Sequence, residues 1–319
     1  MRRATGVVLL AVGAFLVVLA PLLRFQVAGK LIEAPSDQYS VSKLSADNAQ
    51  YFSQQDLKVL TGTLDITVTT RGDVAESKDD HVVWDQFTAV NDVTNSRPSI
   101  SLSEFRSAFN KYNGAGVNCC GVSVDKQPVQ LDGQIFLFPF GVEKKTYKVF
   151  DTSTRKAWDA AFVGEDTVQG LKVYKFQQKI PPTVTQTLTA PASVLGMTDP
   201  GDVQVNRVYD GVVTFWVEPT TGAPVKQEQQ RHEVLKTADG VERMPALIAT
   251  AQFTPQTIGE LVKTARDSMD QITLIKTTAP LLSLVIGLIL AVAGFVLLRA
   301  PSAAASKDKP ATASAADAE

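Results

Sequence analysis

Two stretches of the chain are apolar without interruption, one near each end, and between them apolar and polar positions alternate. Ala4 to Leu23 carries no charged side chain and is closed by Arg24. At about 1.5 Å per residue such a helix is about 30 Å long, the thickness of a bilayer's hydrocarbon core. Thr277 to Leu298 repeats the pattern between Lys276 and Arg299, so transmembrane helices are expected over 4–23 and 277–298. From Leu57 onward the period becomes two: Leu64, Ile66 and Val68 are separated by Asp65, Thr67 and Thr69, as on a half-buried strand. Further stretches rich in β-branched and aromatic residues lie at 81–93, 121–131, 134–140, 146–150, 171–178, 183–189, 203–208, 212–217, 223–235 and 246–253. Turn chemistry separates several of them, at Asp132-Gly133, Pro219-Thr220-Thr221-Gly222 and Asp239-Gly240.

Three helical segments are expected beside these strands. One is an arm over 39–56 and one a short helix over 102–110 with Ser103 as its cap. The third begins at Thr254-Pro255, where Thr257 and Glu260 offer a capping box and Leu261, Ala265, Met269 and Ile272 share a face that docks on the sheet or continues as a stalk over 255–276. The fold class expected is mainly β (α+β), an antiparallel twisted sheet or open barrel flanked by two transmembrane helices. The organisation that follows is a cytoplasmic N-terminus (1–3), a signal-anchor span (4–23), one extracytoplasmic β-rich domain (24–276), a second span (277–298) and a disordered cytoplasmic tail (299–319).

A cleaved secretory signal is the rival for the first span, since it too opens on basic residues. Its apolar core runs roughly 7–15 residues, however, and the small-residue candidate Val18-Leu19-Ala20 is followed by Pro21. Gly6 and Gly13 in the first span and Gly287 and Gly294 in the second are the positions at which two helices would approach closely. Arg2 and Arg3 before the first span, with Arg299, Lys307 and Lys309 after the second, favour both termini in the cytoplasm, although Arg24, Lys30 and Lys276 dilute the bias. Over 319 residues, 31 Lys+Arg against 33 Asp+Glu argues against a nucleic-acid binder.

Catalytic chemistry is hard to find. There is no G-x-S-x-G elbow, P-loop or H-E-x-x-H motif, and Gly114-Ala115-Gly116 has Cys119 where a dinucleotide fingerprint needs its third glycine. Asp79-Asp80 and Glu165-Asp166 are neighbours in sequence, which on a strand sends them to opposite faces. His81, after Lys78-Asp79-Asp80, reads as part of a solvated turn, and the only other histidine is His232. No enzyme, metal or cofactor is therefore expected. Cys119 and Cys120 are the only cysteines; outside the cytoplasm they join as a vicinal disulfide, with Gly121 easing the turn, bridge to another molecule, or remain small buried thiols.

The aromatic residues around 136–176 make either a packed core or the wall of an acyl-chain cavity. Phe136, Phe138, Phe140, Tyr147, Trp158 and Trp216 are the wall candidates, with Lys144 and Lys145 either headgroup contacts or a solvated hairpin. The run Lys226 to Glu233 is polar on both strand faces, which suits a solvated edge more than a binding groove.

Three blocks carry a resemblance. They are Phe136-Leu137-Phe138-Pro139-Phe140-Gly141-Val142-Glu143-Lys144-Lys145-Thr146-Tyr147, the segment Gly164 to Phe176, and Trp216-Val217-Glu218-Pro219-Thr220-Thr221-Gly222. With an apolar helix at each end, nearly the whole chain resembles the actinobacterial membrane proteins labelled the porin PorA family. The resemblance implies a cell-envelope protein near lipid or lipoglycan assembly, and no reaction. The porin label sits uneasily with two uniformly apolar spans, which offer nothing polar to line a pore. In architecture alone, the plan is similar to scavenger-receptor-type lipid-binding proteins with a hydrophobic tunnel. The expected partners are accordingly the membrane, a lipid or lipoglycan ligand and other envelope proteins, with binding or transfer of a lipid or lipid-linked glycan as the leading function. An envelope scaffold and an oligomeric channel are the alternatives.

Overall fold

A computed structural model describes residues 2–198 and 200–299, so the expected tail beyond residue 299 lies outside the described residues. The chain divides into two compact units, one holding the terminal helices and the other running from Ile32 to Ile272.

In the first unit, α1 (Arg2–Leu22), a π-helical turn (Leu23–Val27) and α2 (Ala28–Leu31) pack with a second π-helical turn (Leu274–Thr278) and the apolar helix Ala279–Arg299. Both helical segments are long and apolar enough to cross a membrane. The pairing is antiparallel: a Cβ on Gly13 would lie 2.6 Å from the Gly287 carbonyl oxygen, and one on Gly294 would lie 2.7 Å from that of Gly6. The expected glycines are therefore where the two backbones touch, and any larger residue there forces them apart. Ser283 Oγ donates to the Leu16 carbonyl at 3.0 Å. Pro280, lacking an N–H, leaves the Lys276 carbonyl free of its helical partner, and Arg24 Nη1 reaches that oxygen at 3.5 Å. The adjoining π-helical turn absorbs the break in the ladder.

The second unit is a curled sheet of twelve antiparallel strands, a half-barrel. They are β1 (Tyr39–Ser53), β2 (Lys58–Gly72), β3 (His81–Asp92), β4 (Arg97–Asn110), β5 (Ser123–Val124), β6 (Gln127–Pro128), β7 (Tyr147–Asp151), β8 (Lys156–Val168), β9 (Leu171–Pro191), β10 (Asp202–Val217), β11 (Pro224–Thr237) and β12 (Glu242–Phe253). Their order is β6-β5-β4-β3-β2-β1-β12-β11-β10-β9-β8-β7, two meanders joined where the first strand meets the last. The helix α3 (Pro255–Thr273) follows, and the apolar helix Ala279–Arg299 is α4. Thr254 Oγ1 caps α3 by accepting from Thr257 N, while Glu260 bonds Gln256, so the expected capping box does not form. The face bearing Val262 and Ala265 docks on Val173, Trp216 and Val225.

At one end the two meanders are joined by irregular chain. Val117 N donates to Ala108 O, Gly116 N to Gly133 O, Gln134 N to Lys148 O, and Phe150 N to Gln134 O, all at 2.7–2.9 Å. Backbone hydrogen bonds thus run a full circuit there from β4 to β7, whereas the ladders of the strands themselves stay open. The segment after Phe136 is held similarly to the β10–β11 turn, by Phe138 N to Gly222 O and Val142 N to Pro219 O. Gly222 is obligatory in that turn: its φ is +72°, and a Cβ would fall 2.0 Å from the Phe138 carbonyl oxygen.

Two expected helices are strands. Residues 39–53 form β1, paired on both sides, because a bulge between Ala46 and Ala49 sends both alanines inward and mimics a helical i, i+3 spacing. Residues 102–110 belong to β4, whose end is buried on both faces, so Ser107, Ala108 and Phe109 are all covered and the alternation vanishes. The strands expected over 121–131 and 134–140 shrink to β5, β6 and loop, and β8 is an additional strand. The stretches at 171–178 and 183–189 are one strand, β9, and those at 203–208 and 212–217 are one strand, β10.

Candidate functional site

The concave side of the curled sheet borders a half-open cavity of about 1540 Å³. Protein interiors pack with few voids larger than a water molecule, and drug-sized ligands occupy about 300–1,000 Å³. The space is therefore a built feature on the scale of a long ligand. Its apolar wall comes from alternate residues of neighbouring strands: Leu44 on β1, Leu64, Ile66 and Val68 on β2, Trp84 on β3, Phe105 on β4, Phe150 on β7, and Val213 and Phe215 on β10.

The aromatics fall into two groups. Trp84 stacks on Phe136 with centroids 5.4 Å apart, and Phe105 lies 5.7 Å from both Phe136 and Phe150; this group faces the cavity. Phe138 stacks on Phe176 at 4.8 Å and meets Tyr147 edge-on at 5.4 Å, in a core where Phe176 is fully buried. Each such pair adds about 0.5–1.5 kcal/mol beyond the area it buries.

Of the wall candidates read from the sequence, Phe136 and Phe140 border the cavity. Phe138, Tyr147 and Trp158 belong to the second aromatic core. Trp216 packs under α3 and donates from Nε1 to Asp166 Oδ2 at 2.8 Å, with Lys226 over its ring at 4.2 Å. Lys144 pairs with Glu165 and Lys145 with Glu143, each over a tyrosine ring, Tyr174 and Tyr147 respectively. The Cys119 and Cys120 sulfurs are bonded to each other. His81 Nε2 sits 3.5 Å from Cys120 Sγ, a grouping of metal-ligand types in which the bonded sulfurs offer no thiolate.

The polar part of the cavity includes the run that the sequence reading favoured as a solvated edge over a binding groove. The run Lys226 to Glu233 is no edge: β11 lies between β10 and β12, with Gln227, Gln229, Arg231 and Glu233 bordering the cavity. Glu233 is 3% exposed and accepts from Arg207 Nε at 2.7 Å and from Arg231 Nη2. Burial pushes its carboxyl up, but Arg231 and Arg207 outweigh that and hold it below the ordinary value. Arg231 also donates to Ser153 Oγ at 2.9 Å and lies 4.6 Å from the Tyr209 ring. That ring occupies the place of the side chain Gly211 lacks, since a Cβ there would sit 3.1 Å from it. Burial, chiefly, pushes the Asp151 carboxyl up, against the hydrogen bonds that Thr154 N and Oγ1 give it at 2.7 and 2.8 Å. The available signal was the alternation itself: large polar groups recurring at 227, 229, 231 and 233 of a long strand imply a polar interior face.

Among known proteins, the model of the Porin PorA family matches residues 5–296. The chain is 29% identical over 202 residues to a Porin PorA of Corynebacterium amycolatum, a match covering 50% of this chain and 52% of that protein. It is 40% identical over 55 residues to a Porin PorA of Corynebacterium resistens, covering 17% and 13% respectively. The chain thus spans about half the length of the first of these relatives. With the family model running from the first apolar helix through the whole sheet to the last, the chain belongs to the Porin PorA family.

Proposed function

We propose that this protein is a non-enzymatic, membrane-anchored component of the cell envelope that binds a lipid or lipid-linked glycan inside its curled sheet and hands it on during envelope assembly. The cavity of about 1540 Å³ carries the reading, because it combines a continuous aliphatic and aromatic wall with a buried polar cluster. An apolar ligand of that size removes more hydrocarbon from water than any small metabolite, at about 25 cal/mol per Å². The absence of catalysis is supported by the state of the cavity's carboxyls: Glu233 is held charged between two guanidiniums, and Asp151 is engaged by its own turn. Antiparallel packing of α1 with α4 supports both termini on one side, the cytoplasmic one by the basic flanks, with the β domain outside.

The description of the family and its relatives as porins favours a second reading, an oligomeric channel. A photoactivatable phospholipid with a diazirine on its acyl chain separates the two. Lipid carriage predicts crosslinks on β2, β3 and the segment around Phe136. Labelling confined to α1 and α4, together with conductance of the purified protein in planar bilayers, would favour the channel.

A further inference from the structure

Arg207 and Arg231 share one carboxylate, Glu233. Arg231 Nε is buried and has no hydrogen-bond partner among the described residues. Asp151 does little to help, since burial raises its pKa and Thr154 occupies its Oδ1.

The cluster also sits at one end of a gradient. On β10, Arg207 and, further along, Val213 and Phe215 border the cavity, and at about 3.4 Å per residue the polar and aromatic ends are about 27 Å apart. We propose that Arg231 and Arg207 form an anionic-headgroup subsite, taking the phosphate-type anion of one amphiphile whose hydrocarbon lies along the wall toward Phe215 and Phe136. This inference rests on the lipid-carrying reading above and adds a ligand class to it. Arg suits the role because its fork donates to two oxygens of one phosphate.

The test uses the full chain in nonionic detergent, delipidated by detergent exchange and titrated with phosphatidylglycerol, phosphatidylcholine, diacylglycerol or inorganic phosphate, with occupancy read by native mass spectrometry. Phosphatidylglycerol is expected to bind at least about tenfold more tightly than diacylglycerol. Arg231→Gln should abolish that preference, and Arg231→Lys should restore part of it. Should Arg231→Gln fail to fold by circular dichroism, Arg207→Gln serves in its place. Equal binding of all three lipids, or a preference that survives both Gln variants, overturns the subsite and leaves the cavity reading standing. Inorganic phosphate that displaces phosphatidylglycerol at equal concentration marks a free-anion site and overturns the amphiphile. If no lipid binds at all, both readings fall.

Discussion

Asp151 and Glu233 border the same cavity, and their environments push them in opposite directions. Glu233, held below its ordinary value by two guanidiniums, stabilises the fold above the usual carboxylate range and loses that contribution as acid protonates it. Asp151 has the reverse sign: its folded value is raised, so its contribution is complete in acid and is lost as pH rises through that value. Asp151→Asn keeps an oxygen to accept from Thr154 and removes the ionisation. The variant should melt a few degrees above wild type at about pH 7.5, with the gap closing by about pH 3, in thermal circular dichroism of the full chain. A gap of constant size, or a variant that melts lower at neutral pH, would show that Asp151 is not disfavoured as an anion.

Legibility in the sequence differed from element to element for physical reasons. β2, β3, β7, β11 and β12 were visible because each keeps its alternation along most of its length or is bounded by turn residues. β1 and β4 were not, since a bulge in one and two-sided burial in the other replace a period of two with spacings that resemble a helix. Among the site residues, Phe136 and Phe140 were named for the cavity they border, while Phe138, two positions from each, faces the other way into the core. Arg231 and Glu233 stood in a run read as a solvated edge, and Arg207 was not singled out because its pairing with Glu233 is set by the register between β10 and β11, which the sequence does not print. The terminal helices were the clearest elements, and their glycines supplied the pairing as well. Gly13→Leu would place a branched side chain where the Gly287 carbonyl and Ala291 backbone now lie. A disulfide between Leu16→Cys and Ser283→Cys should form readily in the otherwise native chain and at least about fivefold more slowly with Gly13→Leu added. Equal crosslinking rates would mean that the helices are not held by their glycines.

At the scale of the molecule, twelve strands curl into a half-barrel whose concave face no second sheet covers among the described residues. The irregular segments near residues 114–117 and 133–142 close one end and separate two buried aromatic clusters, both of which lend side chains to the cavity wall. A cavity of this size left in water would cost hydrophobic free energy that an amphiphile recovers. Native mass spectrometry of the full chain, extracted from its own membrane in mild detergent, tests this most directly. The account predicts a bound amphiphile at one per chain, lost when Ile66→Trp and Val213→Trp fill the wall while the fold by circular dichroism is kept. A bare polypeptide mass for the native chain, or an amphiphile retained in full by the filled variant, would contradict it.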